Sequence, residues 1–162
     1  MSRFNLLDTV AHCPTSVQSR GTLESDTDPA FAGLIELASR ICEAPIALVL
    51  LLDDEQPWCR ADLGQVSQGV AGLDSLRALT ILGDGPLVIT DTSNDPRTIY
   101  NPLVTGVEEI RFYAGVPFAD ASGEAIGALC VMDTCPREIS TAALTQLGLL
   151  GEQASALVQL RR

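Results

Sequence analysis

The chain has 162 residues, the length of a single domain, and is 46% apolar and 19% charged. That composition builds a core and argues against whole-chain disorder. The 21 acidic residues against 10 basic ones give a net charge of -11, a surface that repels phosphate backbones and anionic lipid, so neither nucleic acid nor membrane is expected as a partner.

Individual residue types exclude more. All ten basic residues are arginine, so a Walker A phosphate loop, a Schiff-base lysine and a lysine nucleophile are absent. His12 is the only histidine, and two-histidine metal chemistry cannot be built within one chain. The longest apolar run, Ala44 to Leu52, contains Pro45 and falls far short of the ~20 residues of a membrane span. The N-terminus carries Arg3 without an apolar signal segment, which predicts a cytoplasmic protein. Cys13, Cys42, Cys59, Cys130 and Cys135 are odd in number and lack metal or redox spacing, so they read as reduced thiols partly in the core. No cofactor, metal or covalent chromophore is expected.

Residues 1–27 read as a tail or weak first helix, with Leu6, Leu7 and Val10 able to form one amphipathic turn before Pro14. The domain proper is expected over 28–162. Asp28-Pro29 supplies an N-cap and a first-turn proline. Phe31, Leu34, Ile35, Ala38, Ile41 and Cys42 follow at helical spacing, and Pro45 stops the helix.

Ile46 to Leu52 predicts a strand buried on both faces. A charged turn, Asp53 to Pro57, leads to a shorter returning strand at Trp58–Asp62, the Trp58 ring serving as core filler. Gly64, Gly69 and Gly72 predict loop over 63–73, followed by a short helix over Leu76 to Leu82 and a strand at Leu87–Thr90. Asp91 to Gly106, rich in Asp, Asn, Pro, Thr and Ser, predicts a long loop with short helical pieces, a length that suggests function. Ile110–Phe118 and Ala125–Met132 read as a second hairpin turned by Asp120 to Gly123. Ser140 caps a final helix to about Leu160, with Ile139 placed to staple against Leu144. Hairpin-linked strands imply an antiparallel sheet, and the terminal helices can cover one of its faces, an α+β sandwich.

Several segments resemble GAF domains of bacterial signalling proteins. Pro45 to Val49 with the acidic turn and Trp58 is similar to their first hairpin, and Ile81 to Ile89 to the entry of a central strand. Asp95-Pro96-Arg97 and Asn101 to Gly106 resemble the following loop. Arg111 to Pro117, Ile126 to Asp133 and Pro136-Arg137 resemble the last hairpin and its exit. The resemblance implies a central antiparallel sheet of about six strands flanked by N- and C-terminal helices. It also implies a ligand site on one sheet face, and terminal helices that signal to a kinase, cyclase or transcription regulator. Related domains often carry Phe-Cys-Ala-His-X-Ile before the central strand. Here Leu76-Arg77-Ala78-Leu79-Thr80-Ile81 stands instead, so the heme, metal or redox role of that Cys–His pair is lost. The bilin Cys-His site is missing, and the Asn-Lys-Phe-Asp pattern of cyclic-nucleotide GAF domains cannot exist without lysine.

The candidate ligand site comprises Arg77, Arg97, Tyr100, Asn101, Arg111 and Tyr113, between the sheet and segments 76–82 and 91–106. Arg97 or Arg111 offers a bidentate fork to an anion, and Tyr100, Asn101 and Asp95 a lid; the alternative is that this set is loop architecture. Tyr113 points either into the pocket or into the core. Arg77 anchors a ligand, or closes the pocket through an ion pair with Asp74 or Asp91. Cys130 reads as a packed thiol.

The expected function is a non-catalytic sensory or regulatory module binding a small molecule or a protein partner. The alternatives are an enzyme similar to free methionine-(R)-sulfoxide reductases, which share this fold, and a ligand-less dimerisation module. No effector domain fits in 162 residues, so a fragment or a partner-binding protein is expected. A homodimer through the C-terminal helix is expected from the seam Ala143, Leu147, Leu150, Ala154 and Leu157, with Leu144, Gly151 and Val158 beside it and residues 30–42 contributing.

Overall fold

The computed structural model describes residues 29–51, 58–63, 70–83 and 85–160. The expectations for the 1–27 tail, the Asp28 cap, His12, Cys13 and the 53–57 turn fall outside these residues, as do those for the side chains of Trp58, Cys59 and Asp74.

Helix α1, Pro29–Cys42, buries Phe31, Leu34, Ile35, Ala38 and Cys42, one stripe at helical spacing. It stops before Pro45 is reached. Glu43 takes a left-handed conformation (φ 55), the Glu43 N–H returns to Arg40 O and the Ala44 N–H to Ser39 O. This is a Schellman ending with glutamate where glycine is usual, and the left-handed residue costs about 1 kcal/mol.

Strand β1, Ile46–Leu51, alternates across the sheet. Ala47 and Val49 join one core and Ile46, Leu48 and Leu50 the other, which is why the run has no polar member. Strand β2 is Trp58–Leu63, β3 is Leu87–Ile89, β4 is Phe112–Ala119 and β5 is Ala125–Asp133. The sheet is antiparallel in the order β2-β1-β5-β4-β3, so the first strand pairs with the last and β5 lies at the centre.

The sheet has five strands among the described residues, not the expected six or so. The segment between β3 and β4 adds no strand: it forms a 3-10 turn, Thr92–Asn94, and a short helix, matching the loop with short helical pieces expected over 91–106. Asp91 accepts from the Ser93 N–H and Asn101 from the Leu103 N–H, so capping side chains take up backbone donors that a strand would pair.

A second correction concerns helix α2, which spans Val70–Leu82 rather than beginning near Leu76. Gly72 lies within it because a Cβ there would fall 2.7 Å from Asn101 Oδ1 and Leu103 Cγ. The glycine serves close packing, not a turn.

Helix α3 is Pro102–Thr105 and helix α4 is Thr141–Leu160. Ser140 caps α4, its Oγ accepting from the Ala143 N–H at 3.0 Å, and Ile139 and Leu144 both pack on the same core. Helices α1 and α4 pack together over one face of the sheet, while α2 covers β4 and β5 on the other. No described helix is long and apolar enough to cross a membrane.

Candidate functional site

The layer between α2 and the sheet carries buried polar groups. Leu76 and Thr80, one helical turn apart, both face the sheet, and Arg77 beside them is 8% exposed. The Thr80 hydroxyl donates to Leu76 O at 2.8 Å. Its single proton is thereby used, so in the Tyr113–Thr80 hydrogen bond the phenol donates.

Tyr113 is fully buried on β4, and its ring lies over Gly115, where a Cβ would come 2.8 Å from Tyr113 Cζ. Burial, then the neighbouring Cys130, pushes the phenol well above its ordinary 10.0. Burial pushes the Cys130 thiol up to about 12. Both groups are neutral near pH 7, and Cys130 is a packed thiol rather than a nucleophile.

The 91–111 segment is built from its own hydrogen bonds. Asp91 Oδ1 accepts from Ser93 Oγ at 2.7 Å and from Ser93 N at 3.1 Å, and Oδ2 accepts from Asn94 Nδ2 at 3.0 Å. The Ser93 hydroxyl is the main reason the Asp91 carboxyl is held below its usual range. Thr92 and Thr98, both buried, bond Ile110 O and Thr92 O at 2.7 and 2.8 Å. Asn101 caps α3 through Leu103 N at 2.8 Å and donates to Gly72 O at 3.1 Å, fastening the loop to α2.

The six candidate residues therefore separate. Asn101 and Tyr113 both bond α2, but more than two turns apart, at Gly72 and Thr80, and Arg77 is buried on that helix. Arg111 donates from Nη1 to Val104 O at 2.9 Å and Ile110 O at 3.0 Å, bracing the end of α3. Arg97 sits outside, its Nε and Nη2 forked onto Asp95 at 2.9 and 2.7 Å. That contact lowers the Asp95 carboxyl and raises the guanidinium. Tyr100 is 86% exposed. Among the described residues no grouping of His, Cys, Asp and Glu could hold a metal ion.

Sequence reasoning missed three residues. Thr80 is a hydroxyl in the last turn of α2, and Gly115 stands two positions from the tyrosine it accommodates; both signals were present. Arg137 entered only through the family resemblance. It donates to Asp133 Oδ2 at 2.8 Å and to the Cys42 and Glu43 carbonyls at 2.7 and 2.6 Å, and lies 5.4 Å from the Phe112 ring centroid.

A groove of about 710 Å³ runs between α1 and α4, lined by Leu34, Leu37, Leu150 and Leu157, with Glu36 and Arg40 also on its walls. Within the expected dimer seam, Leu147 and Ala154 are buried against the sheet, whereas Leu150 and Leu157 line the groove. Gly151 brings α4 close to β4, since a Cβ there would fall 2.9 Å from Val116 Cγ2.

Comparisons with known proteins agree with this architecture. The GAF domain family profile matches residues 26–158. A cyclic di-GMP phosphodiesterase of Pseudomonas aeruginosa is 40% identical over 121 residues, 75% of this chain; the match spans only 21% of that longer protein. The GAF domain of an Acinetobacter phosphoenolpyruvate-protein phosphotransferase superposes with a TM-score of 0.65 at 21% identity, covering 95% of this chain and 92% of that one. The type II free methionine-R-sulfoxide reductase of Thermoplasma acidophilum gives 0.66 at 16% identity, covering 80% and 90%. At these identities the two structures establish the fold alone. With the family profile covering α1 through most of α4, the chain belongs to the GAF domain family.

Proposed function

We propose that the chain is a non-catalytic, cytoplasmic regulatory module of cyclic di-GMP signalling, in which a small molecule or protein partner acts at the α2 face and the α1/α4 pair carries the output. The observation that supports the cyclic di-GMP assignment is the 40% identity to a cyclic di-GMP phosphodiesterase across a GAF-sized stretch. In this reading Arg77 and Tyr113 lie nearest the site, Asn101 and Arg111 brace its wall, and Arg97 and Tyr100 stand at its rim. Kinase or cyclase partners become secondary to a phosphodiesterase.

Cyclic di-GMP, measured in cells that produce the chain and in cells where residues 26–158 are deleted, is expected to differ. Equal levels would overturn the reading. The reductase alternative rests on fold likeness alone. Cys42 and Cys130 pack in different cores on opposite faces of the sheet and do not gather at one pocket. Reduction of free methionine sulfoxide at the expense of thioredoxin would restore that alternative.

We further propose that the module is a homodimer through the α1/α4 groove. The groove is apolar at Leu34, Leu37, Leu150 and Leu157, and its Glu36–Arg40 pair offers charges of both signs to a second copy. Sedimentation at micromolar concentration is expected to give a dimer, and Leu157→Glu a folded monomer. A wild-type monomer refutes the interface.

A further inference from the structure

Phe112 and Tyr113 are consecutive on β4 and point to opposite faces of the sheet. Across the ladder Phe112 pairs with Asp133 and Tyr113 with Met132, so the two aromatic residues occupy adjacent rungs of β4 and β5. On one face Tyr113 is hydrogen-bonded to Thr80, and Thr80 to Leu76 O, both on α2.

On the other face one residue, Arg137, collects the ends of four elements, three through its guanidinium and one through its backbone. Arg137 lies over the Phe112 ring, pairs with Asp133 and donates to the carbonyls of Cys42 and Glu43. Its backbone N–H bonds Thr90 O at 3.1 Å, just beyond β3. The two carbonyls close α1, where the helix dipole is negative, and Glu43 is the residue held at φ 55. Arg137 also stands one turn ahead of α4 in the chain.

We propose that the rungs Phe112–Asp133 and Tyr113–Met132 are a transmission between the two faces: Tyr113 follows the position of α2, and Phe112 and Asp133 pass that position to Arg137, which sets the last turn of α1 and the lead into α4. This rests on the regulatory reading above. The two Cα atoms are joined by one planar peptide unit, so a displacement of that unit on β4 moves both side chains. The planar fork of Arg137 has fixed donor directions, so displacement of the ring or the carboxylate re-aims its bonds to Cys42 and Glu43. The test is a measurement of coupling between the two faces.

Hydrogen exchange read by mass spectrometry on the folded chain provides it. Tyr113→Phe keeps the ring and removes the donor. Exchange is expected to quicken roughly fivefold in 70–82 and also in 40–44 and 134–141, with the central amides of β5 unchanged. In an Arg137→Met background the same change should reach 70–82 only. Arg137→Lys keeps the charge and loses the fork, should likewise block the distal effect, and serves alone if the methionine variant does not fold. An effect of Tyr113→Phe confined to 70–82 in the otherwise native chain overturns the proposal. So does a distal effect that persists without the fork, or a uniform rise at all amides. The readout needs no ligand and no partner enzyme, so its failure leaves the cyclic di-GMP reading to its own test.

Discussion

The two faces of the sheet are held by different physics. Toward α1 and α4 the sheet presents Ala47, Val49, Phe112, Ala114, Val116, Phe118, Leu129 and Val131, side chains of carbon and hydrogen alone, and its polar contacts on this side, the Asp133–Arg137 pair among them, lie at the strand ends. Toward α2 the apolar residues Ile46, Leu48, Leu50 and Met132 share the space with the Tyr113 phenol and the Cys130 thiol, and α2 adds Thr80 and Arg77. Apolar burial is strong and non-directional, so the first face gains stability from area. Hydrogen bonds contribute less each but fix geometry, so the second face gains a defined position for α2 and the 91–111 segment. The helix pair is the strong half of the molecule and α2 the specified half.

The largest effect tests the strong half. Leu147→Ala removes a fully buried side chain between α4 and the sheet. It is expected to cost about 2–5 kcal/mol, measured as the unfolding free energy in urea, because the packed helix can only partly collapse into the void. A loss well below 1 kcal/mol would show that the apolar face does not carry the stability assigned to it.

On the specified half, the matching experiment overfills rather than empties. Gly115→Ala places a methyl group against the Tyr113 ring and hydroxyl. The ring is fully buried and tied to Thr80, so it cannot move aside without breaking that bond. A cost of about 1–3 kcal/mol is expected. Combining it with Tyr113→Leu should recover part of that loss, since the clashing ring is gone. Strict additivity of the two changes would refute the contact.

Acidity gives a second probe of the α2 face. The folded chain holds the Cys130 proton to about pH 12, against an ordinary thiol value of 9.0. The unfolded chain releases its proton first, so the stability linked to this group is whole below pH 9 and is lost as pH rises from 9 toward 12. The limiting slope is about 1.4 kcal/mol per pH unit. Urea titrations between roughly pH 8 and 10 are expected to show this decline in the native chain and a shallower one in Cys130→Ala. Cys42, also raised by burial but opposed by Arg137, adds to the residual slope.

Much of this contrast was legible in the sequence. Helical spacing from Phe31 to Cys42, the polar-free run of β1 and the Ser140 cap gave α1, β1 and α4 nearly to the residue, because apolar periodicity is the direct imprint of a buried face. The α2 face was harder. Gly72 reads locally as a loop residue, and only Asn101 and Leu103, about thirty positions on in the chain, make glycine necessary inside a helix. The same distance problem affects the site. Arg97 is chemically suited to bind an anion and Asn101 to line a lid, yet their nearest partners are Asp95 for the one and Leu103 N and Gly72 O for the other. Sequence shows which groups can form hydrogen bonds but not which of them tertiary contacts have already taken.

The smallest effect sharpens that last point. Arg97 makes a well-formed fork with Asp95, which looks like a stabilising pair. Its side chain is nevertheless 47% exposed, so water and salt screen the attraction and holding the long side chain costs rotamer freedom. The loop does not depend on it either, because Asp95 still accepts from the Arg97 backbone N–H at 2.8 Å and Thr98 still bonds Thr92 O. Arg97→Ala is therefore expected to change unfolding free energy by less than about 0.5 kcal/mol, and less still in about 0.5 M salt. Asn101→Ala, at the buried end of the same segment, removes the bond to the Gly72 carbonyl and leaves the Leu103 N–H without its cap, and should cost about 1–3 kcal/mol. Equal costs for the two variants would mean that the segment is held from its exposed rim, not from its contact with α2.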